Sequence, residues 1–144
     1  MPTLLEKIKS KVAKVGVIGL GYVGLPLAVE KAKAGFQVLG FDIQPEKVDK
    51  INRGENYIGD VVPEELSTLS QNGHLSATGD FSRIRECDVL AICVPTPLDE
   101  FKQPDLSYVV NTAKTIASHL HKDMLVVLES TTYPGTTEEV LLPI

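Results

Sequence analysis

Cysteine is scarce in this chain. There are two, Cys87 and Cys93. Six residues apart on one predicted extended strand, they are too far separated to form a disulfide. They read as small buried residues of a reduced, cytoplasmic protein. Histidine is also sparse, at three, and no cluster of Cys, His and acidic residues has metal-ligand spacing. His119 and His121 stand two apart at a predicted helix end. They share no face, and each is placed to favour the helix C-terminus. No apolar run approaches the length of a membrane span, and the lysine-bearing N-terminus lacks the apolar core of a signal peptide. Positive charge is not in excess either. The formal net charge is −5, which leaves no basic patch for nucleic acid. The one local cluster, Lys7, Lys9, Lys11 and Lys14, reads as the solvated face of a short helix. Internal repeats and low-complexity segments are absent, and 144 residues suit one domain with a sizeable core.

What is present is an alternation of strand and helix patterns. Thr3 with Glu6 reads as a capping box opening a short helix, with Leu4, Leu5, Ile8 and Val12 near one face. Strands are predicted over Lys14 to Ile18, Phe36 to Asp42, Leu75 to Thr78, Cys87 to Val94 and Met124 to Leu128. Helices are predicted over Tyr22 to Ala34, Pro45 to Asn52, Pro63 to Ser70 and Asp105 to His119. Gly35 caps the first of these, Asp80 caps a brief helix through Arg85, and Glu55 to Val62 has no regular pattern. Thr136 with Glu139 reads as a second capping box, opening a helix close to Ile144. The run Val89-Leu90-Ala91-Ile92 is continuous and apolar, as a central parallel strand requires. Together these predict an α/β fold, a Rossmann-type doubly wound parallel sheet of order 3-2-1-4-5 with room for an extra edge strand. Ligands of such sheets sit beyond the carboxyl ends of strands one and four. The loops there are Gly19 to Gly24, Asp42 to Lys47, Val94 to Pro97 and Glu129 to Gly135.

The first of these loops, Gly19-Leu20-Gly21-Tyr22-Val23-Gly24, has dinucleotide-binding spacing. Gly19 allows the tight turn out of the strand, Gly21 lets the backbone approach a pyrophosphate, and Gly24 lets the helix lie close to the sheet. The helix N-terminus offers unpaired N–H groups to phosphate. Asp42 ends the second strand eighteen residues beyond Gly24. A carboxylate there accepts hydrogen bonds from the adenosine ribose and repels a 2′-phosphate, so NAD is favoured over NADP. FAD, whose sites share the fingerprint, is the second cofactor to weigh.

Two further loops carry a family resemblance. One reads Val94-Pro95-Thr96-Pro97-Leu98, followed by Pro104-Asp105-Leu106-Ser107-Tyr108-Val109. The other reads Leu128-Glu129-Ser130-Thr131-Thr132-Tyr133-Pro134-Gly135-Thr136-Thr137. With Gly19 to Pro26 ahead of them, the chain resembles the amino-terminal, NAD-binding domain of the UDP-glucose and UDP-N-acetylhexosamine 6-dehydrogenases. The wording of the second loop is most similar to the UDP-N-acetylglucosamine branch. The resemblance implies an NAD-dependent enzyme of nucleotide-sugar metabolism and polysaccharide biosynthesis. Such an enzyme oxidises a UDP-sugar C6 alcohol to a carboxylate with two NAD in sequence, through a cysteine-bound thiohemiacetal and thioester. It further implies that Gly19, Gly21, Tyr22, Val23 and Gly24 cradle the pyrophosphate and that Asp42 holds the ribose. Lys47 would lie over the adenosine end and Thr96 would line the nicotinamide side. Thr131 would stand near the nicotinamide and a catalytic water, supporting a developing oxyanion.

The family chain is much longer. Its linking helix, its substrate domain and its nucleophilic cysteine have no counterpart here, and neither Cys87 nor Cys93 has a neighbour that would lower its pKa. Residues 1–144 are therefore expected to be the NAD-binding domain of a longer enzyme that is a homodimer when complete, able to bind NAD but not to turn over UDP-sugar. Two other readings remain at this level: a stand-alone NAD-sensing module, and the Rossmann domain of another dehydrogenase such as a 3-hydroxyacid enzyme.

Overall fold

Apolar runs without alternation need cover on both faces, and the computed structural model, which describes residues 1–144, provides it. Five parallel strands form one sheet in the order β3-β2-β1-β4-β5. They are β1 (Lys14–Ile18), β2 (Gln37–Phe41), β3 (Leu75–Thr78), β4 (Val89–Ile92) and β5 (Leu125–Leu128). Helix α1 (Leu4–Lys9) precedes β1, and α2 (Gly24–Lys33) links β1 to β2. Between β2 and β3 lie α3 (Pro45–Asn52) and α4 (Pro63–Gln71). A 3₁₀ turn (Phe81–Glu86) enters β4, and α5 (Ser107–Ala117) links β4 to β5.

The central register aligns Val17 with Gly40 on one side and with Ala91 on the other. Val15 and Val17 face Leu25, Ala28, Val29 and Ala32 of α2 in the larger core. Ile18 faces the other way, into a smaller core with Phe41, Leu90, Ile92 and Ile116 of α5. Strands β3 and β5 are the sheet edges; β3 pairs only with β2 and β5 only with β4.

Punctuation in the sequence set most element ends. Pro45 and Pro63 open α3 and α4, where a missing N–H costs little. Gly35, at φ 104°, follows the end of α2. Thr3 and Glu6 form the expected reciprocal box, with the Thr3 N–H donating to Glu6 Oε2 at 2.7 Å. Asp80 caps the 3₁₀ turn by accepting from the Ser82 N–H.

Four expectations are corrected. Helix α1 buries none of its residues; only Ile8 packs on the core, while Leu5 and Val12 stay exposed. The lysines nearby are not simply solvated. Lys7 pairs with Asp88 at 3.0 Å, Lys14 with Glu86 at 2.9 Å, and Lys11 lies over the Phe36 ring. The second capping box does not form. Thr136 is already helical and buried, and its hydroxyl donates to the Tyr133 carbonyl; the segment Thr137–Leu141 is a single π-type turn. The histidines do not serve the helix terminus. His119 Nδ1 meets Arg85 Nη2 at 2.6 Å, and His121 Nε2 lies 2.6 Å from the Cys87 carbonyl oxygen, to which it donates.

Candidate functional site

The carboxyl ends of β2, β1, β4 and β5 gather the four loops singled out in the sequence. Gly19 leaves β1 at φ 94°, a left-handed conformation that side-chain-bearing residues rarely adopt. A Cβ there would lie 2.7 Å from the Cys93 carbonyl oxygen. At Gly24 a Cβ would fall on the Gly19 carbonyl oxygen. Gly21 is different: nothing lies within 4 Å of where its Cβ would be. Internal packing does not require glycine there, and the space beside the backbone is open.

The N–H groups of Gly21, Tyr22, Val23 and Gly24 donate to no group of the chain, while the Leu25 N–H returns to the Gly21 carbonyl. Unpaired donors at the start of α2, at the positive end of its dipole, make a cradle for an anion. The Tyr22 and Val23 side chains are exposed, so it is their backbone that faces the cradle.

Asp42 closes the loop from the next strand. The residue is 8% exposed. Its carboxylate Oδ2 accepts the Leu20 N–H at 2.9 Å and Oδ1 accepts the Gln44 N–H at 2.9 Å. It is therefore a clamp on the glycine loop as well as a candidate ribose acceptor, with a further lone pair on each oxygen for an incoming hydroxyl. Beside it opens a cleft of about 440 Å³, with apolar walls from Ile43, Pro45, Val48 and Phe81 and a second carboxylate from Asp49. Lys47 stands half-buried on α3 but does not line this cleft.

At the other end of the site, Thr96 is half-buried between exposed Pro95 and Pro97. The loop beyond is closed by the Asp105 N–H donating to the Pro97 carbonyl at 2.7 Å and by a bridge between Leu98 and Pro104. Thr131 is exposed in the loop after β5. Ser130 joins these two loops, its hydroxyl donating to the Val94 carbonyl at 2.8 Å. Both cysteines are free and buried. Burial pushes the Cys87 thiol up to about 11. Burial, then the Glu129 charge, pushes Cys93 up to about 11 as well. Both stay protonated at neutral pH and neither is a nucleophile. No group of His, Cys, Asp and Glu is arranged to hold a metal ion.

Sequence reasoning missed four contributors. Asp49 gave no signal beyond its place on a helix, and Ser130 stood unremarked beside Thr131. Gly40, inside β2, could have been found, because a glycine within a strand marks close approach by another group. Here the group is the Leu20 side chain, 2.8 Å from where a Cβ would be. Tyr57 lies in the stretch with no pattern, and its hydroxyl donates to the Leu20 carbonyl at 2.6 Å.

Residues 13–144 match the family described as the UDP-glucose/GDP-mannose dehydrogenase family, NAD binding domain. The chain is 41% identical over 131 residues to the UDP-N-acetyl-D-glucosamine 6-dehydrogenase of Salmonella typhi, covering 91% of this chain and 30% of that enzyme. It is 44% identical over 131 residues to the UDP-N-acetyl-D-mannosamine dehydrogenase of Escherichia coli K12, covering 89% and 30%. Its fold matches the crystal structure of a ternary complex of GDP-mannose dehydrogenase from Pseudomonas aeruginosa with a TM-score of 0.85 at 33% identity, covering 90% of this chain and 31% of that one. The chain thus spans about 30% of the length of the curated relatives it matches.

Proposed function

Because the chain belongs to the UDP-glucose/GDP-mannose dehydrogenase family, as its NAD-binding domain, we propose that it holds the NAD of an enzyme oxidising the C6 alcohol of a UDP-N-acetylhexosamine to the acid. The observation that carries this reading is the row of unpartnered N–H groups from Gly21 to Gly24, facing space that a Cβ at Gly21 would fill, beside the carboxylate of Asp42.

In this reading the backbone from Gly19 to Gly24 receives the pyrophosphate, and Asp42 accepts from the adenosine ribose. The apolar walls of the adjoining cleft take the adenine, and Lys47 reaches the adenosine end from outside the cleft. Thr96 lines the nicotinamide side. Thr131 stands toward the reacting carbon, where its hydroxyl steadies negative charge developing on oxygen. NAD, when bound, supplies the hydride acceptor for each of two oxidations. The sugar-binding surface and the nucleophilic cysteine belong to sequence these 144 residues do not contain, so this chain alone binds cofactor without turning over UDP-sugar. The same reading places the complete enzyme in the cytoplasm as a homodimer. No helix is long and apolar enough to cross a membrane.

A calorimetric titration of the chain with NAD and with NADP tests the proposal. NAD is expected to saturate, and NADP to bind at least ~10-fold more weakly, since its 2′-phosphate would meet the Asp42 and Asp49 carboxylates in a partly desolvated cleft. Equal affinities, or no binding of NAD, would overturn it.

A further inference from the structure

Leu20 is held at three points. Its N–H donates to Asp42 Oδ2 at 2.9 Å. Its carbonyl accepts from the Tyr57 hydroxyl at 2.6 Å. Its side chain is fully buried against the bare backbone of Gly40. Glycines flank it, and Gly21 begins the row of unpartnered donors.

The carbonyl oxygen of Leu20 and the N–H of Gly21 belong to one rigid peptide plane. No peptide bond in the chain is cis, so the two groups point in opposite directions. Whatever fixes the oxygen therefore aims the N–H. Such a plane flips easily when a glycine follows it, because glycine tolerates the positive φ that the flip demands. A flipped plane would turn the Leu20 carbonyl toward the cradle and replace a donor with an acceptor at its first position. The Asp42 clamp does not prevent this, since it grips the preceding plane, which carries the Leu20 N–H.

We propose that Tyr57 is a positioning residue for cofactor binding: by holding the Leu20 carbonyl it locks the Leu20–Gly21 peptide plane, so that the Gly21 N–H stays aimed at the pyrophosphate. The inference rests on the reading that the glycine loop holds that pyrophosphate. The segment that carries Tyr57 is built to present it. Asn56 folds the chain around its own side chain, donating from Nδ2 to the Ile58 and Val61 carbonyls at 2.8 Å each and accepting the Ile58 N–H at 3.0 Å. Val61 is buried and Ile58 packs on the larger core, anchoring the turn on either side. Burial, then the Asp42 charge, raises the pKa of the Tyr57 hydroxyl well above its ordinary value, so it remains a donor across the physiological range.

The test compares the chain with its Tyr57→Phe variant, which keeps the ring and removes only the hydroxyl. Affinities for NAD, ADP and adenosine are measured by calorimetry, with thermal unfolding and amide NMR spectra of the unliganded proteins. The variant is expected to lose about 5- to 10-fold in affinity for NAD and ADP, the scale of one hydrogen bond. Adenosine, which lacks a pyrophosphate, should bind unchanged. The Gly21 and Tyr22 amide resonances should move while those of β1 and β2 stay in place. Unchanged NAD affinity in the variant would overturn the proposal. So would equal weakening of NAD and adenosine, which would mean a general loss of structure. Failure of the unaltered chain to bind either NAD or ADP would defeat the cofactor reading itself, and this proposal with it.

Discussion

Gly21 and Gly24 look alike in the sequence and do different work. At Gly24 a methyl group would fall on the Gly19 carbonyl oxygen, with Cys93 Cβ 3.2 Å away. At Gly21 it would meet nothing, and φ there is not positive. Gly24→Ala should therefore destabilise the fold by about 3 kcal/mol, as forced overpacking does. Gly21→Ala should leave stability within about 0.5 kcal/mol. NAD affinity, by contrast, should fall about 10- to 100-fold in Gly21→Ala, as the new methyl holds the phosphates off their charge-assisted donors. Urea unfolding with parallel NAD titration checks both. A Gly21→Ala protein that unfolds early, or binds NAD normally, would contradict the assignment. Spacing alone singled out these glycines and Asp42, because a dinucleotide loop constrains backbone atoms at fixed offsets, and the tight turn at Gly19 and the close approach at Gly24 lie where that spacing put them. Tyr57 was illegible for the converse reason. It acts on Leu20 from 37 positions away, through a hydroxyl whose partner no local pattern identifies.

Among the elements, those bounded by proline or glycine or made of continuous apolar residues lay where the sequence put them. Helix α3 and strand β3 match their predicted bounds, Pro45–Asn52 and Leu75–Thr78. Elements read from a cap alone fared unevenly. The Thr3 box formed, but the Thr136 box did not, because the buried Thr136 hydroxyl found the Tyr133 carbonyl first. The Thr3 box also did not foretell what attaches α1 to the sheet. With no fully buried residue, that helix is held by Ile8 against the larger core and by charge: Lys7 Nζ meets Asp88 Oδ1 at 3.0 Å, and Asp88 Oδ2 accepts the Lys14 N–H at 2.9 Å. Partial burial pushes the Asp88 carboxyl up, but the Lys14 N–H and the Lys7 ammonium outweigh it, and the net shift is downward. A folded-state pKa below the unfolded value, near 3.9, gives stability that is present above about pH 4 and lost as pH falls through the lower folded value. Asp88→Asn should thus cost about 1 kcal/mol at pH 7, a figure kept small by solvent screening. The difference from the unaltered chain should narrow by pH 2.5. Urea midpoints at the two pH values measure it; a gap that stayed constant would show that the Asp88 charge contributes nothing.

Across the whole molecule, cohesion falls from the middle of the sheet to its β5 edge. Strand β1 has a hydrogen-bonded neighbour on each side, and Val17 and Ile18 are at most 2% exposed. Strand β5 has one neighbour, and Leu125 is 42% exposed. The π-type turn that follows has no fully buried residue, and only Leu141 of it packs on the smaller core. Native-state amide exchange should reflect this gradient. Amides of β1, β2 and β4 should exchange only through global unfolding, and those of β5 through a smaller opening of lower free energy. NAD then separates the two routes. A ligand stabilises only against openings that destroy its site, by about 2.7 kcal/mol at a hundred times its dissociation constant. The cradle is built on β1, β2 and α2. Amides of β1 and β2 should therefore slow about 100-fold in saturating NAD. Amides of β5 should slow far less, because β5 can leave the sheet while Gly19 to Gly24 and Asp42 stay in place. If β5 slowed as much as β1, its opening would have to dismantle the cofactor site. In that case the Ser130 link between the loops after β4 and β5 would couple the edge to the centre, and the sheet would open as one unit.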